Sequence, residues 1–395
     1  MRRSGAALFL SLVCCRGAAP QNPADRNIAQ LIDSLRPSVE KATGLSFKAP
    51  TRSEMKSREE VHAFLLEKLR QEFPPERQEG TEAVYQLLGL LPDTLNLKNL
   101  LLELYSEQVA GFYDPATSTM YGVRGAVHDT LRLVLAHELV HALQHQYLPL
   151  DSIMKKGSDA DQQTAAQAVL EGHAMMASIL VFAPDRNLIR QPQFWTMARE
   201  MVRTQASSMQ VYAKAPLVLQ EGMIFPYLNG AEWIRWWDSA RAGHPLPTVA
   251  ELPRSTEQIL HPDRYARGDQ PVPVRFADPD SALYEDTLGE REIQVMATVL
   301  RGGGEVLDGA ALGWGGDRFR AYRTTAGPAL VWYLVWDDEA AAARFMGGPG
   351  ARLAQHQREG YRSEVTRMGG AARPTVRVVV APVTWERWKH LPGIR

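Results

Sequence analysis

The sequence predicts an α+β protein, and three observations lead to that class. Segments with apolar residues at helical spacing make up most of the chain after its N-terminus. A hairpin pattern interrupts them between residues 109 and 123, and from about Ala282 strand patterns alternate with helical ones. At 395 residues the chain has room for two domains, or for one large domain with an extension.

The amino-acid composition is that of an ordinary globular protein, with 45% hydrophobic and 23% charged residues. Such values argue against disorder, collagen and a coiled coil. The 44 Lys and Arg residues nearly cancel the 45 Asp and Glu residues, which gives a formal net charge of −1. A near-neutral chain without a long basic run lacks the field that attracts nucleic acid, so we expect no nucleic-acid partner.

The N-terminus has the pattern of a secretory signal peptide, which we assign to residues 1–19. Arg2 and Arg3 form a basic start, an apolar stretch covers residues 6–13, and small residues follow at 17–19. The apolar stretch is far shorter than the ~20 residues that span a bilayer, so we expect no membrane span. We therefore expect the mature protein to be extracytoplasmic, either periplasmic or secreted.

Both cysteines, Cys14 and Cys15, lie inside this leader. A lipid anchor at one of them is an alternative, although the residues before them fit that pattern poorly. The rest of the chain has no cysteine, which excludes disulfides and a cysteine zinc site in the mature protein.

The region that follows the leader is predicted to be mostly helical, with one hairpin. Ser57 and Glu60 form a capping-box pattern at the start of the amphipathic segment SREEVHAFLLEKLRQEF. The hairpin joins a strand around Val109–Tyr113 to a strand around Thr119–Val123, with an Asp-Pro turn after the first strand.

Two further helices are predicted around Asp129–Gln146 and over QQTAAQAVLEGHAMMASILVF. In the C-terminal part, TLGEREIQVMATVL and DDEAAAARFM predict helices, whereas RFRAYRT, ALVWYLVW and TVRVVVAP predict strands. The segment GWGGDRF lacks the spacing of phosphate-binding loops and predicts a tight turn that leads into a strand.

The helix that contains VLAHELVHALQHQY has three histidines at a spacing of four residues: His137, His141 and His145. Residues four apart on a helix project from nearly the same face, about 6 Å apart along the axis, so His137 and His141 can share one metal ion. His145 lies about 12 Å from His137 and cannot share that ion. Two imidazoles suit zinc, and Glu138 lies beside them, where it can act as a general base on a water molecule.

A catalytic zinc site needs a third protein ligand, and the best candidate is Glu171. It lies 30 residues after His141 (171 − 141), in the strongly apolar segment AAQAVLEGHAMM. A carboxylate there is costly unless it is paired or bound to a cation. His173 is the rival ligand, and a helix-surface position for Glu171 is the structural alternative. Residues two apart on a helix face different ways, so we expect only one of the two to ligate.

These residues resemble a known family. His137-Glu138-x-x-His141 with a distal Glu171 is similar to the gluzincin metallopeptidases, in which a second helix supplies a glutamate ligand. More narrowly, the chain resembles an uncharacterised bacterial group of secreted predicted zinc metallopeptidases, on the motifs EQVAGFYDP, AHELVHALQHQ, AVLEGHA, RSTEQILHP and GWGGDRF. The resemblance is strongest from Tyr105 to Ala174. The chain departs from that group at His145 and His173, where an acidic residue is common.

The resemblance implies a zincin-like catalytic domain with its active-site helix beside a small sheet, followed by a C-terminal α+β segment. It also implies that an extended substrate adds to a sheet edge. Thr119–Val123 is the candidate strand, with plain structural pairing as the alternative. Tyr227 and His261 are candidates for stabilising an oxyanion, by residue type and family motif. The corresponding division gives a signal peptide at residues 1–19 and an N-terminal helical region at residues 20–100. A catalytic domain follows at residues 101–275, and a C-terminal domain or subdomain at residues 276–395.

The predicted function is that of an exported zinc metallopeptidase that hydrolyses a peptide or protein substrate. In this hypothesis His137, His141 and Glu171 hold Zn²⁺, and Glu138 is the general base. Two alternatives are a non-enzymatic extracytoplasmic zinc-containing binding protein and a zinc hydrolase of a non-peptide substrate.

Overall fold

The computed structural model describes residues 9–10, 28–153, 159–279, 281–356 and 358–395. It confirms the predicted α+β class, since helices surround two small separate sheets. Most of the predicted signal peptide, including Cys14 and Cys15, lies outside the described residues.

The first sheet lies in the N-terminal half and has four strands in the order β1-β3-β4-β2. Its pairs are antiparallel, apart from the parallel pair of β2 and β4. The four strands are β1 (Phe9–Leu10), β2 (Arg52–Lys56), β3 (Gly111–Asp114) and β4 (Thr119–Val123).

The predicted hairpin is confirmed as β3 and β4, but the predicted role of Thr119–Val123 as a substrate-binding edge is wrong. β4 pairs with β3 on one side and with β2 on the other, so Met120 lies opposite both Tyr113 and Ser53. The polar segment RSEMK, which forms β2, has no strand pattern in the sequence. Its pairing makes β4 an inner strand of the sheet, with both of its backbone edges occupied.

Helices form most of the rest of the region before residue 275. The predicted capping box is confirmed: Glu60 N donates to Ser57 Oγ at 3.2 Å, and Ser57 N donates to Glu60 Oε2 at 2.6 Å. The helices are α1 (Ile28–Thr43), α2 (Arg58–Glu72), α3 (Pro75–Leu87), α4 (Leu97–Gln108), α5 (His128–His145), α6 (Leu150–Ile153), α7 (Ala160–Phe182), α8 (Arg186–Arg190), α9 (Pro192–Ser207), α10 (Gln210–Lys214), α11 (Leu217–Ala240), α12 (Thr256–Leu260) and α13 (Pro262–Ala266).

Within the described part of the chain, α7 is long and apolar enough to meet the length and composition of a membrane-crossing helix. Most of it is buried inside the protein, and core helices of soluble proteins have the same character. It packs between α5, α1 and α11.

The second sheet contains the C-terminal strands in the order β5-β6-β7-β9-β8, and all of its pairs are antiparallel. The predicted turn in GWGGDRF is confirmed, because Gly313 has φ +84° and β6 begins at the next residue. The elements of this region are β5 (Tyr284–Asp286), α14 (Gly289–Leu300), β6 (Trp314–Thr324), β7 (Gly327–Trp336), α15 (Glu339–Phe345), α16 (Ala351–Gln355), β8 (Tyr361–Met368) and β9 (Thr375–Pro382).

Two large apolar cores hold these elements together. One core contains Val84 from α3, Leu228 from α11 and Trp332 from β7, so the N-terminal helices and the C-terminal sheet bury side chains against each other. The other core contains Leu139 from α5 and Val169 from α7. The boundaries at residues 100 and 275 stay a prediction.

The helices α7 and α11 are in close contact, because two glycines allow their backbones to touch. A Cβ atom on Gly172 would overlap the backbone of Gly230, and one on Gly230 would overlap the carbonyl of Ala168. Only residues without side chains permit this approach. The contact fixes how far α7 and α11 lie from each other.

Gly230→Ala is therefore expected to destabilise the protein by about 1–3 kcal/mol, because the added methyl group cannot be accommodated without moving a helix. Urea denaturation followed by circular dichroism measures this change. The matched control is Gly222→Ala, in the same helix, where no described atom lies within 4 Å of the new Cβ atom. That control is expected to gain up to ~1 kcal/mol of stability from helix propensity. Equal stability of the two variants would contradict the proposed close contact.

Candidate metal centre

The helix α5 crosses the protein interior, which is why its polar residues become buried. Val134, Leu135 and Leu139 are fully buried, and the short strand β3 packs against the same helix. His137 and His141 lie one turn apart with ring centroids 4.8 Å from each other. His137 is 6% exposed and His141 is inaccessible, so both imidazoles are almost entirely removed from water.

Glu171 of α7 meets the two imidazoles, as the sequence predicts. Its Oε2 atom lies 3.0 Å from His137 Nε2 and 3.4 Å from His141 Nε2, and the two Nε2 atoms are 3.1 Å apart. Ligand atoms at 2.0–2.1 Å from a tetrahedral ion are separated by about 3.3 Å, so a triangle of this size can accommodate a metal ion. The other oxygen of Glu171, Oε1, is buried without a hydrogen-bond partner among the described residues.

The charge state of this triangle suits a cation. Burial raises the pKa of Glu171. The charges of His141 and His137 and their hydrogen bonds to Glu171 outweigh this effect, and the pKa of Glu171 falls to about 2. Burial lowers the pKa of His137. Burial would also lower the pKa of His141, yet the charge of Glu171 raises it above the usual value. The low pKa of Glu171 keeps its carboxylate ionised, and this negative charge favours a bound cation.

Glu138 lies next to the triangle rather than inside it. Its carboxylate is inaccessible, and Tyr113 N of β3 donates a 2.8 Å hydrogen bond to Oε2. Ligand atoms of His137, Glu138 and His141 all lie within 4.8 Å of one another, so this trio alone has the composition of a metal site. Because Glu171 Oε2 lies 3.0 and 3.4 Å from the two Nε2 atoms, Glu171 is the candidate third ligand and Glu138 the candidate base.

Tyr227 is the predicted oxyanion donor that the structure places at this cluster. It lies on α11, is 8% exposed, and its ring centroid is 5.9 Å from that of His137. Burial, the nearby charges of Glu171 and Glu138, and a hydrogen bond with Glu171 raise the pKa of Tyr227 well above its usual value. The phenol therefore stays protonated and available as a hydrogen-bond donor.

The other predicted histidines have different partners. His261 Nε2 lies 3.0 Å from Glu290 Oε1 of α14, and a role for His261 at the oxyanion stays a prediction. His145 lies 2.9 Å from the Tyr113 hydroxyl, through Nδ1. The Nδ1 atom of His173, the rival ligand to Glu171, contacts Gln144 Nε2 at 3.0 Å.

Gln144 and Tyr113 are functional candidates that sequence reasoning missed. Gln144 is fully buried, and its Oε1 atom lies 2.8 Å from His141 Nδ1. Its position three residues after His141 on the same helix face was a usable signal. The contact between Tyr113 and Glu138 involves the backbone of a distant strand and has no local signal.

One family model matches the C-terminal part of the chain. Residues 277–385 match the model of a domain of unknown function, DUF8575, and the matched region lies after the His137–Glu171 cluster. No curated protein matches the chain. Among solved structures, the chain is similar to a "putative hydrolase with a novel fold" from Chloroflexus aurantiacus, with 17% sequence identity and a TM-score of 0.40. The similarity covers 65% of this chain and 93% of that one.

The purified protein is expected to bind about one divalent metal ion per chain. His141→Ala or Glu171→Ala is expected to weaken metal binding by more than the ~10–100-fold that loss of a ligand-orienting residue causes, because each removes a ligand. Elemental analysis and chelator competition measure both effects. The control is His145→Ala, which removes another histidine of the same helix and is expected to keep the metal. An unchanged metal affinity in Glu171→Ala would assign the third ligand elsewhere.

Proposed function

We propose that this protein is an exported zinc-dependent metallopeptidase of gluzincin type. The observation that carries the proposal is the convergence of His137 Nε2, His141 Nε2 and Glu171 Oε2 at mutual distances of 3.0–3.4 Å, with Glu138 beside them. The resemblance of the surrounding motifs supports the peptidase class, and the pattern of the leader supports export.

The donor set fits zinc better than a hard cation. Two imidazole nitrogens and one carboxylate oxygen are ligands that zinc accepts, whereas calcium and magnesium require mostly oxygen ligands. Three protein ligands leave a position open, which is the arrangement of catalytic rather than structural zinc sites. Zinc, when bound, would lower the pKa of a water molecule towards neutrality and polarise a substrate carbonyl.

Glu138 supplies the proton transfers that peptide hydrolysis needs. Its buried carboxylate accepts the proton of the attacking water and then delivers it to the leaving amine. The hydrogen bond from Tyr113 N holds one carboxylate oxygen against β3, which restricts the orientation of the other. A site that only stored zinc or bound a ligand would have no use for a buried carboxylate in this position.

Tyr227 supplies a second kind of assistance. Its protonated hydroxyl lies at the cluster and donates a hydrogen bond to the oxygen that becomes negative as the carbonyl is attacked. In this role the Tyr227 hydroxyl leaves Glu171, because one O–H group cannot donate fully to the Glu171 carboxylate and to the substrate oxygen at once.

Glu138→Gln is expected to retain zinc and to lower kcat by about 10²–10⁴-fold, because the amide cannot accept the proton of water. Hydrolysis of a mixed peptide library, followed by mass spectrometry, measures the activity, and elemental analysis measures the zinc. The control is Glu200→Gln on the exposed side of α9. If the zinc-loaded wild type cleaves no member of the library, the non-enzymatic binding protein or a non-peptide hydrolase replaces the peptidase. Full activity in Glu138→Gln would remove Glu138 from the mechanism.

Tyr227→Phe is expected to lower kcat by about 10²–10³-fold with zinc content unchanged, because one oxyanion donor is lost while the aromatic packing stays. Steady-state kinetics on the best library peptide give the measurement. Tyr212→Phe is the control: it removes a hydroxyl that donates to the backbone oxygen of Gln220 instead. Wild-type kcat in Tyr227→Phe would exclude the donor role.

A further inference from the structure

Gln144 is a buried side chain that contacts both a proposed zinc ligand on α5 and the backbone of α7. Its Oε1 atom lies 2.8 Å from His141 Nδ1, and its Nε2 atom donates to Leu170 O at 2.8 Å. Nε2 also lies 3.0 Å from His173 Nδ1. We infer that Gln144 is a positioning residue that fixes the tautomer and ring orientation of His141 and thereby sets the zinc affinity. This inference rests on the proposed zinc site.

The backbone of α7 determines which way the Gln144 amide points. Leu170 O is a carbonyl and can only accept, so the group that faces it must be the NH₂ of Gln144. The carbonyl oxygen of the amide then faces His141 and can only accept as well. His141 must therefore carry a proton on Nδ1, so Nε2, which faces Glu171 and His137, is the ring nitrogen that can bind a metal ion.

His173 completes the same arrangement and is thereby assigned a role other than ligation. The second N–H of the Gln144 amide points at His173 Nδ1, which must accept. His173 satisfies the last hydrogen of the amide, and this prevents the amide from rotating away from His141.

Gln144 also sets the spacing of the two ligand-bearing helices. Leu170 directly precedes Glu171, so one amide ties the ring of His141 to the turn of α7 that presents the third ligand. An amide is a weaker acceptor than a carboxylate, which is the common partner of zinc-bound histidine. His141 is consequently held in place with less gain in basicity than a carboxylate partner would give.

Two substitutions distinguish a role of Gln144 in orienting His141 from a role in packing alone. Gln144→Leu removes the acceptor for His141 and both donors. Gln144→Glu keeps an acceptor for His141 Nδ1 and removes the donor to Leu170 O. His173 can adopt its other tautomer, in which Nδ1 carries the proton and donates to the new carboxylate. If only packing matters, both variants lose zinc affinity equally; if His141 orientation matters, they differ.

The experiment measures the zinc Kd of the full-length protein by competition with a chromophoric chelator. We expect Gln144→Leu to raise the Kd about 10–100-fold and Gln144→Glu to stay within about 10-fold of the wild type. Visible absorption of the Co²⁺-substituted protein gives a second readout, and its bands are expected to shift in Gln144→Leu. Gln146→Leu is the matched control, because Gln146 lies two residues further along the chain and binds the backbone of Lys48 and Ala49 instead.

The outcomes separate this inference from the proposed function. A wild type that binds no zinc overturns both. If the wild type binds zinc, two results would overturn the role of Gln144 alone. One is that Gln144→Leu binds zinc as tightly as the wild type, and the other is that Gln144→Glu loses as much affinity as Gln144→Leu. The thermal midpoint of each metal-free variant shows whether a variant is folded, and a Gln144→Glu protein that is unfolded leaves the Gln144→Leu comparison and its Co²⁺ spectrum as the test.

Discussion

The backbone contact between α7 and α11 is the constraint on which the candidate site depends. Gly172 and Gly230 lie where the two helices touch, and neither tolerates a Cβ atom. Glu171 is the residue before Gly172, and Tyr227 lies three residues before Gly230 on the adjoining helix. Their side chains can meet beside His137 only because the two backbones are this close. Glycine costs helix stability in both helices, and the close approach that it permits compensates for that cost.

The cluster that results is expensive for the fold. Glu138, His141, Gln144 and Glu171 are all fully buried, and burial of unpaired polar groups costs several kcal/mol. Most of the polar atoms are satisfied by one another, but Glu171 Oε1 has no hydrogen-bond partner among the described residues. An apolar set of the same size would pack here at lower cost. A bound cation would remove this disadvantage, because the converging nitrogen and oxygen atoms would become its ligands.

Part of the site could be predicted from helix spacing and from the apolar residues around Glu171. The spacing of His137 and His141 fixes their common face wherever the helix forms, and the apolar surroundings of Glu171 identify it as a carboxylate in need of a partner. Gln144 could have been found by the same helix spacing. The sheet was harder, because β2 is a short polar segment whose strand character comes only from its pairing with the distant strand β4. The hydrogen bond from Tyr113 N to Glu138 depends on that sheet and is equally non-local.

The C-terminal sheet contributes to the site through a chain of buried polar contacts. Asp317, in the GWGGDRF segment, accepts hydrogen bonds from the backbone N–H groups of Leu288 and Gly289 at the start of α14. The indole N–H groups of Trp314 and Trp332 also donate to Asp317 and fix its position. The helix so capped carries Arg291, which donates to the buried carboxylate of Glu221 at 2.6 Å. Glu221 lies on α11, six residues before Tyr227. Because breaking one side of a buried ion pair costs about 3–5 kcal/mol, α11 cannot shift freely with respect to the second sheet. The C-terminal region thus supports the helix that presents Tyr227, although none of its described residues belongs to the cluster itself.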